Sequence, residues 1–175
     1  MAKGLAEAGA DLVLIGRDED ALQQAKAALA GTGRSVETLS TDVGEPEASE
    51  AAARRVIERW GPVDILINNV GGRRIDVPTE ELELADWQRI MDLNLTSAFV
   101  WSKVVGGAML DRGWGRVINV ASISGMIATR GIRGRTYEAS KATGTRAVIT
   151  SARLGRLRLV TATSKSANDV ATAAF

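Results

Sequence analysis

Val63-Asp64-Ile65-Leu66-Ile67-Asn68-Asn69-Val70-Gly71-Gly72 is the stretch that decides the fold. Gly61-Pro62 stops the helix before it, a run of strand length follows, and the two glycines end it in a loop. The run is too apolar for a strand with one face in water, so it reads as a central parallel strand covered on both sides. Asn68 and Asn69 then fall at its carboxyl end, the edge where open α/β sheets bind ligands.

Towards the N-terminus, Asp11-Leu12-Val13-Leu14-Ile15 is a second apolar run, entered from a short helical stub, Lys3 to Ala8, that ends at Gly9. Asp18 is placed to cap a helix whose apolar positions Ala21, Leu22, Ala25 and Leu29 follow the 3.6 period, with Gly31 and Gly33 ending it. Val36-Glu37-Thr38-Leu39-Ser40 is a further strand, and Pro46-Glu47 opens a helix, proline suiting the first turn. On the C-terminal side, Asp86 opens a long helical segment through about Arg112, and Arg116-Val117-Ile118-Asn119-Val120 is the next strand. This alternation predicts a Rossmann-like doubly wound parallel sheet in a three-layer α/β/α arrangement.

Composition narrows the chemistry. A chain of 175 residues, 45% hydrophobic and 25% charged, suits one globular domain with one core. A net charge of +1 argues against a dedicated nucleic-acid or acidic-membrane surface. No apolar run approaches the roughly 20 residues needed to cross a bilayer. Met1-Ala2-Lys3 leads into an amphipathic stretch and not a signal-peptide core, so a cytoplasmic location is expected. Cysteine and histidine are both absent, so no thiolate chemistry and no metal site are expected, and acid/base work falls to Tyr, Lys, Asp or Glu.

Tyr137-Glu138-Ala139-Ser140-Lys141 carries the strongest chemical signal. Residues four apart share a helix face, which puts an ammonium beside a phenol. A free phenol, with a pKa of about 10, is a poor base at neutral pH, and a neighbouring cation favours its ionised form. The pair is a candidate proton relay, although the same spacing also describes an ordinary solvent-facing pair. Before it, Asn119-Val120-Ala121-Ser122-Ile123-Ser124-Gly125 delivers two hydroxyls to the sheet edge. Ser122 and Ser124 are candidates to hydrogen-bond a substrate carbonyl, with simple turn chemistry as the alternative.

Asp42-Val43, Asn68-Asn69-Val70-Gly71, Asn94-Leu95, the serine turn and Tyr137 to Lys141 stand in one order and spacing. In that order the chain from Ala2 to about Ala142 resembles the short-chain dehydrogenase/reductase family, classical type. The resemblance implies hydride transfer between NADP(H) and a secondary alcohol/ketone pair of a small-molecule substrate, in a homotetramer or homodimer. It implies that Tyr137 exchanges a proton with the substrate oxygen and that Lys141 tunes the phenol and holds the nicotinamide ribose. Ser122, three residues before Gly125, matches the carbonyl-orienting serine, and Asn94 the asparagine supporting a water that links Lys141 to solvent. For the cofactor, Asp42 and Val43 match positions beside the adenine. Asn69, Val70 and Gly71 match the loop along the adenosine ribose, with valine in place of the usual alanine. Arg17 follows the Asp11 strand, where an acidic residue would bind a ribose hydroxyl and an arginine accepts a 2′-phosphate. This favours NADP, with NAD as the other cofactor of the family. Gly16-Arg17-Asp18, the asparagine loop and Ile127-Ala128-Thr129-Arg130-Gly131 are similar to members acting on gluconate, polyols and 3-oxoacyl groups.

Two departures stand out. The family opens with an apolar strand and a T-G-x-x-x-G-I-G turn whose glycines admit a pyrophosphate to the backbone. Neither is present ahead of the stub at Lys3, so the sheet is expected to lack its first strand and glycine-rich loop. After Lys141 the charge balance changes, from seventeen basic and twenty acidic residues to five and one over the final 34. Residues 1–141 therefore read as a partial dinucleotide-binding catalytic domain. Residues 142–175 read as an atypical tail, of frameshifted origin or disordered, in which only Arg158-Leu159-Val160 hints at a strand. A catalytically inactive fragment, or an interaction module pairing through Asp86 to Arg112, is the alternative to a working enzyme.

Overall fold

Leu12, Val13, Leu14 and Ile15 have no exposed surface at all, so β1 (Asp11–Gly16) is covered on both faces. In the computed structural model, residues 1–72, 75, 77–127, 135–144, 150–151, 158–163 and 173–174 are described, with side chains described as far as residue 142. The Ile127 to Gly131 resemblance falls largely outside the described residues, which resume at Arg135.

β1 pairs in parallel with β2 (Val36–Ser40), Leu14 opposite Thr38. β3 (Ile65–Asn69) pairs in parallel with β4 (Gly115–Asn119), Leu66 opposite Val117. The stub is α1 (Ala2–Glu7), followed after β1 by α2 (Glu19–Leu29), and α3 (Pro46–Trp60) joins β2 to β3. Alternate residues of each strand face opposite layers. Leu12, Leu14 and Ile67 pack with Ala6, Leu22 and Leu29 under α1 and α2. Val13, Ile15 and Leu66 pack with Ala53, Val56, Trp101 and Val105 on the other side. This is the expected three-layer α/β/α arrangement. Asp18 caps α2, its carboxylate accepting from the Ala21 N–H at 2.9 Å, and Gly33 ends the following turn at a φ of 68°.

The segment expected as one helix from Asp86 to Arg112 has a different internal structure. It begins as α4 (Leu84–Met91), widens into a π turn over Asp92–Thr96, and continues as α5 (Ser97–Asp111). The Asn94 side chain donates to the Ile90 carbonyl at 2.8 Å, the acceptor its own main-chain N–H would use in an uninterrupted α-helix. At the far end Arg112 ties α5 to the entry of β3, bonding Asp64 at 3.0 Å and the Val63 carbonyl at 2.7 Å.

α6 (Thr136–Gly144) carries Tyr137 and Lys141. Beyond it come β5 (Thr150–Ser151), β6 (Arg158–Thr163) and β7 (Ala173–Ala174). The gap between β1 and β3, where the first strand was expected to be lacking, is taken by β6, which runs parallel to both. Val160 lies opposite Val13 and Leu66, so the backbone groups of both neighbours find partners. β6 runs three residues beyond the Arg158-Leu159-Val160 hint, through Thr161-Ala162-Thr163. β5 and β7 are short antiparallel additions at the β4 edge and at the start of β1.

Candidate active site

Two strand ends and a helix meet where β3 and β4 end. Asn69 is the last residue of β3, Val120 and Ala121 follow β4, and α6 packs over both. Between them opens a cleft of about 510 Å³, its mouth included, lined by Asn69, Gly71, Gly72, Ala121, Tyr137 and Lys141. It lies at the sheet edge where such folds bind ligands.

Lys141 organises the cleft. Its side chain is buried at 5% exposure, and its ammonium donates to the Val70 carbonyl at 2.7 Å and the Val120 carbonyl at 3.2 Å. One cation thus joins α6 to the ends of two neighbouring strands. Burial pushes its pKa below the ordinary lysine value of 10.5. Two glycines make room for it. A Cβ at Gly71 would stand 2.7 Å from Lys141 Nζ. A Cβ at Gly125 would meet the α6 backbone at Ala142 N (2.6 Å) and Lys141 C (2.7 Å), so only glycine lets the serine turn lie this close to the helix.

Asn94 stands directly behind the cleft wall. Its carboxamide pairs with both backbone groups of Gly72, accepting from the N–H and donating to the carbonyl, each at 3.1 Å. Behind Lys141 a small chamber is lined by Asn68, Val70, Asn94, Ser97, Trp101 and Asn119. Asn68 bridges to Asn119 at 2.8 Å, linking β3 and β4 side chain to side chain.

The remaining expected site residues fall in two groups. Ser122, one position beyond Ala121 of the cleft wall, accepts from the Ser124 N–H at 3.2 Å. Its hydroxyl proton is not used in that bond. Val70 packs its side chain into the core and offers the cleft its carbonyl. At the ends of β1 and β2, Arg17 bonds Asp42 at 3.1 Å, while the Asp42 carboxylate also accepts from the Gly44 N–H at 2.9 Å. Val43 is buried at 5% and belongs to the core. The structure therefore brings Asn69, Gly71, Tyr137 and Lys141 to one cleft with Asn94 behind it, and sets Arg17 and Asp42 apart on the neighbouring strand ends. Val120, Gly72 and Gly125 were not among the expected site residues. A glycine after two serines signals a turn, not a helix lying against it, and carbonyl acceptors leave no side-chain signature.

The model of the short chain dehydrogenase family matches residues 1–164. The chain belongs to that family. Gluconate 5-dehydrogenase of Gluconobacter oxydans is 35% identical over 141 residues, 81% of this chain and 54% of that enzyme. A gluconate 5-dehydrogenase from Burkholderia cenocepacia, solved with NADP and tartrate, superposes with a TM-score of 0.70 at 33% identity, covering 81% of this chain and 54% of that one. An NAD⁺-bound xylitol dehydrogenase has a TM-score of 0.71 at 29% identity, with the same coverage. The chain spans about half the length of these relatives. Among the described residues of this short-chain dehydrogenase, no helix is long and apolar enough to cross a membrane, and no group of side chains could hold a metal ion.

The family's nicotinamide cofactor fits what is present on the β3 and β4 side. An ammonium and a phenol line an open cleft, and Gly71 and Gly72 keep its wall free of side chains. On the β1 and β2 side Arg17 offers a cation, already in contact with Asp42.

Two outcomes follow from this packing. Gly125→Ala should cost about 1–3 kcal/mol in chemical denaturation, as overpacking does, whereas Gly31→Ala, with open space around it, should be close to neutral. Lys141 also makes stability depend on pH. Its pKa is lower folded than unfolded, so between the two values the unfolded chain binds more protons and stability rises with pH up to 10.5. Unfolding curves at neutral and alkaline pH should show this rise in the native chain, and its loss in Lys141→Met.

Proposed function

We propose that residues 1–141 are the catalytic part of an NADP(H)-dependent oxidoreductase acting on a secondary alcohol/ketone pair of sugar-acid, polyol or 3-oxoacyl type. The observation that carries this reading is the meeting of Tyr137 and a buried, carbonyl-anchored Lys141 in one cleft at the carboxyl ends of β3 and β4. A nicotinamide held in this cleft would supply the hydride in reduction and take it up in oxidation.

The protein's own groups handle the rest. Tyr137 gives its hydroxyl proton to the substrate oxygen as the new C–H bond forms, and takes a proton back in the reverse direction. Lys141, four residues on and held by two carbonyls, binds ribose hydroxyls and keeps a positive charge on the phenol's side of the cleft. Asn94 fixes Gly72 and supports a water in the chamber behind Lys141, through which Tyr137 recovers its proton. Ser122 donates its free hydroxyl proton to the substrate carbonyl and orients it.

Asp42 and Val43 would hold the adenine of that cofactor, and Asn69, Val70 and Gly71 the adenosine ribose. Arg17, now paired with Asp42, would hold the 2′-phosphate of NADP, a choice supported by the NADP-bound relative. NAD, held by the xylitol dehydrogenase, is the competing cofactor. Assembly through α4 and α5 into a dimer or tetramer belongs to the same proposal, supported by Leu84, Phe99 and Leu110, all exposed. So does a cytoplasmic location.

The test is reduction of small ketones, keto sugar acids and 3-oxoacyl thioesters with NADPH. Tyr137→Phe should lower turnover by about 10²–10⁴ while leaving NADPH affinity within a few-fold. Equal turnover by the Phe variant would remove Tyr137 from the mechanism, and no turnover by the folded native chain on any of these substrates would favour the catalytically inactive fragment, a reading the half-length match also accommodates.

A further inference from the structure

Of the four tryptophans, Trp101 is the one that is fully buried, with no exposed surface. Its ring belongs to the core on the α3 and α5 side, yet its indole Nε1–H has no hydrogen-bond partner in the protein. A buried indole N–H usually meets an acceptor, because leaving a buried donor without one is costly. Trp101 also lines the chamber behind Lys141, together with Asn94, Ser97 and Ala98 of the same helical segment.

That chamber has room for about one water molecule, and Val70, Ala98 and Val120 make part of its wall apolar. Water stays in such a space only where polar groups meet it from more than one side. Asn94 is not the donor among them. Its two amide protons go to the Ile90 carbonyl at 2.8 Å and the Gly72 carbonyl at 3.1 Å. Its oxygen accepts from the Gly72 N–H and has capacity for a second bond. Asn68 is arranged alike, its amide nitrogen donating to Asn119 at 2.8 Å and its oxygen left to accept. Ser97 gives its hydroxyl proton to the Leu93 carbonyl at 2.7 Å. The carboxamides therefore present acceptors, and the Trp101 N–H is a donor that no protein group uses.

We propose that Trp101 is a positioning residue, its indole N–H holding one water in the chamber while the side-chain oxygens of Asn94 and Asn68 accept that water's protons. The water site stands on the packing alone. Its part in returning a proton to Tyr137 rests on the mechanism given under Proposed function.

Nuclear magnetic resonance on the ¹⁵N-labelled full chain tests the site without cofactor. The Trp101 indole signal is identified by elimination, using Trp60→Phe, Trp87→Phe and Trp114→Phe. The expected result is a slowly exchanging indole proton with a dipolar cross-peak to water. A folded chain whose Trp101 indole proton shows no water cross-peak would overturn the proposal. Trp101→Phe, which keeps a ring in the core and removes the N–H, tests the role in the reaction. Its affinity for NADPH should stay within about twofold and its turnover fall about tenfold, what one hydrogen bond is worth in a barrier, with a changed pH profile of kcat. Native turnover and an unchanged pH profile in the Phe variant would overturn the positioning role. A native chain that shows the water contact but turns over no substrate would defeat the oxidoreductase reading and that role, and leave the water site standing.

Discussion

A buried cation has to be met by acceptors, and at the centre of this structure they are two main-chain carbonyls from two different strand ends. Lys141 reaches from α6 to Val70 and Val120, and so fixes the helix over the edge of the sheet. Much of the local sequence is a consequence of that seat. Gly71 leaves the space the ammonium occupies, and Gly125 lets the helix backbone come within contact of the serine turn. Asn94 locks the other wall through Gly72, and the π turn that interrupts α4 and α5 accompanies its bond to Ile90. π turns inside helices are frequent at functional sites, and here the turn sits directly behind the cleft.

The sheet provides the level on which this seat is built. β1 and β3 are buried on both faces, and their carboxyl ends are brought into register by the strand between them. That intervening strand comes from the C-terminal segment, so cleft geometry depends on parts of the chain far apart in sequence. β6 sets the level of both strand ends through its parallel ladders to Ile15 and Asn69.

What could be read from the sequence was whatever hydrophobic periodicity encodes. Leu12 to Ile15 and Ile65 to Ile67 are apolar without interruption, which only a doubly covered strand tolerates, and the helices between them repeat at 3.6 residues. The Tyr137 and Lys141 pair was legible because helix geometry fixes what four residues of separation mean. The π turn at Asn94 was not, since its backbone bond pattern leaves the apolar repeat of the segment almost unchanged. The carbonyl seat of Lys141 was not, because every residue has a carbonyl and only the fold selects Val70 and Val120. The end of β6 was hidden by Thr161-Ala162-Thr163, residues that suit a strand without the apolar run that announces one.

The central claim is that the lysine seat at the sheet edge makes a nicotinamide cofactor site. A fluorescence titration of the full chain with NADPH addresses it most directly, run in parallel on Lys141→Met. The account predicts saturable binding at one cofactor per chain, weakened by more than about tenfold in the Met variant, as loss of a charged hydrogen-bond donor requires. Binding by the Met variant equal to the native chain, or a cooperatively folded native chain with no saturable response, would contradict it.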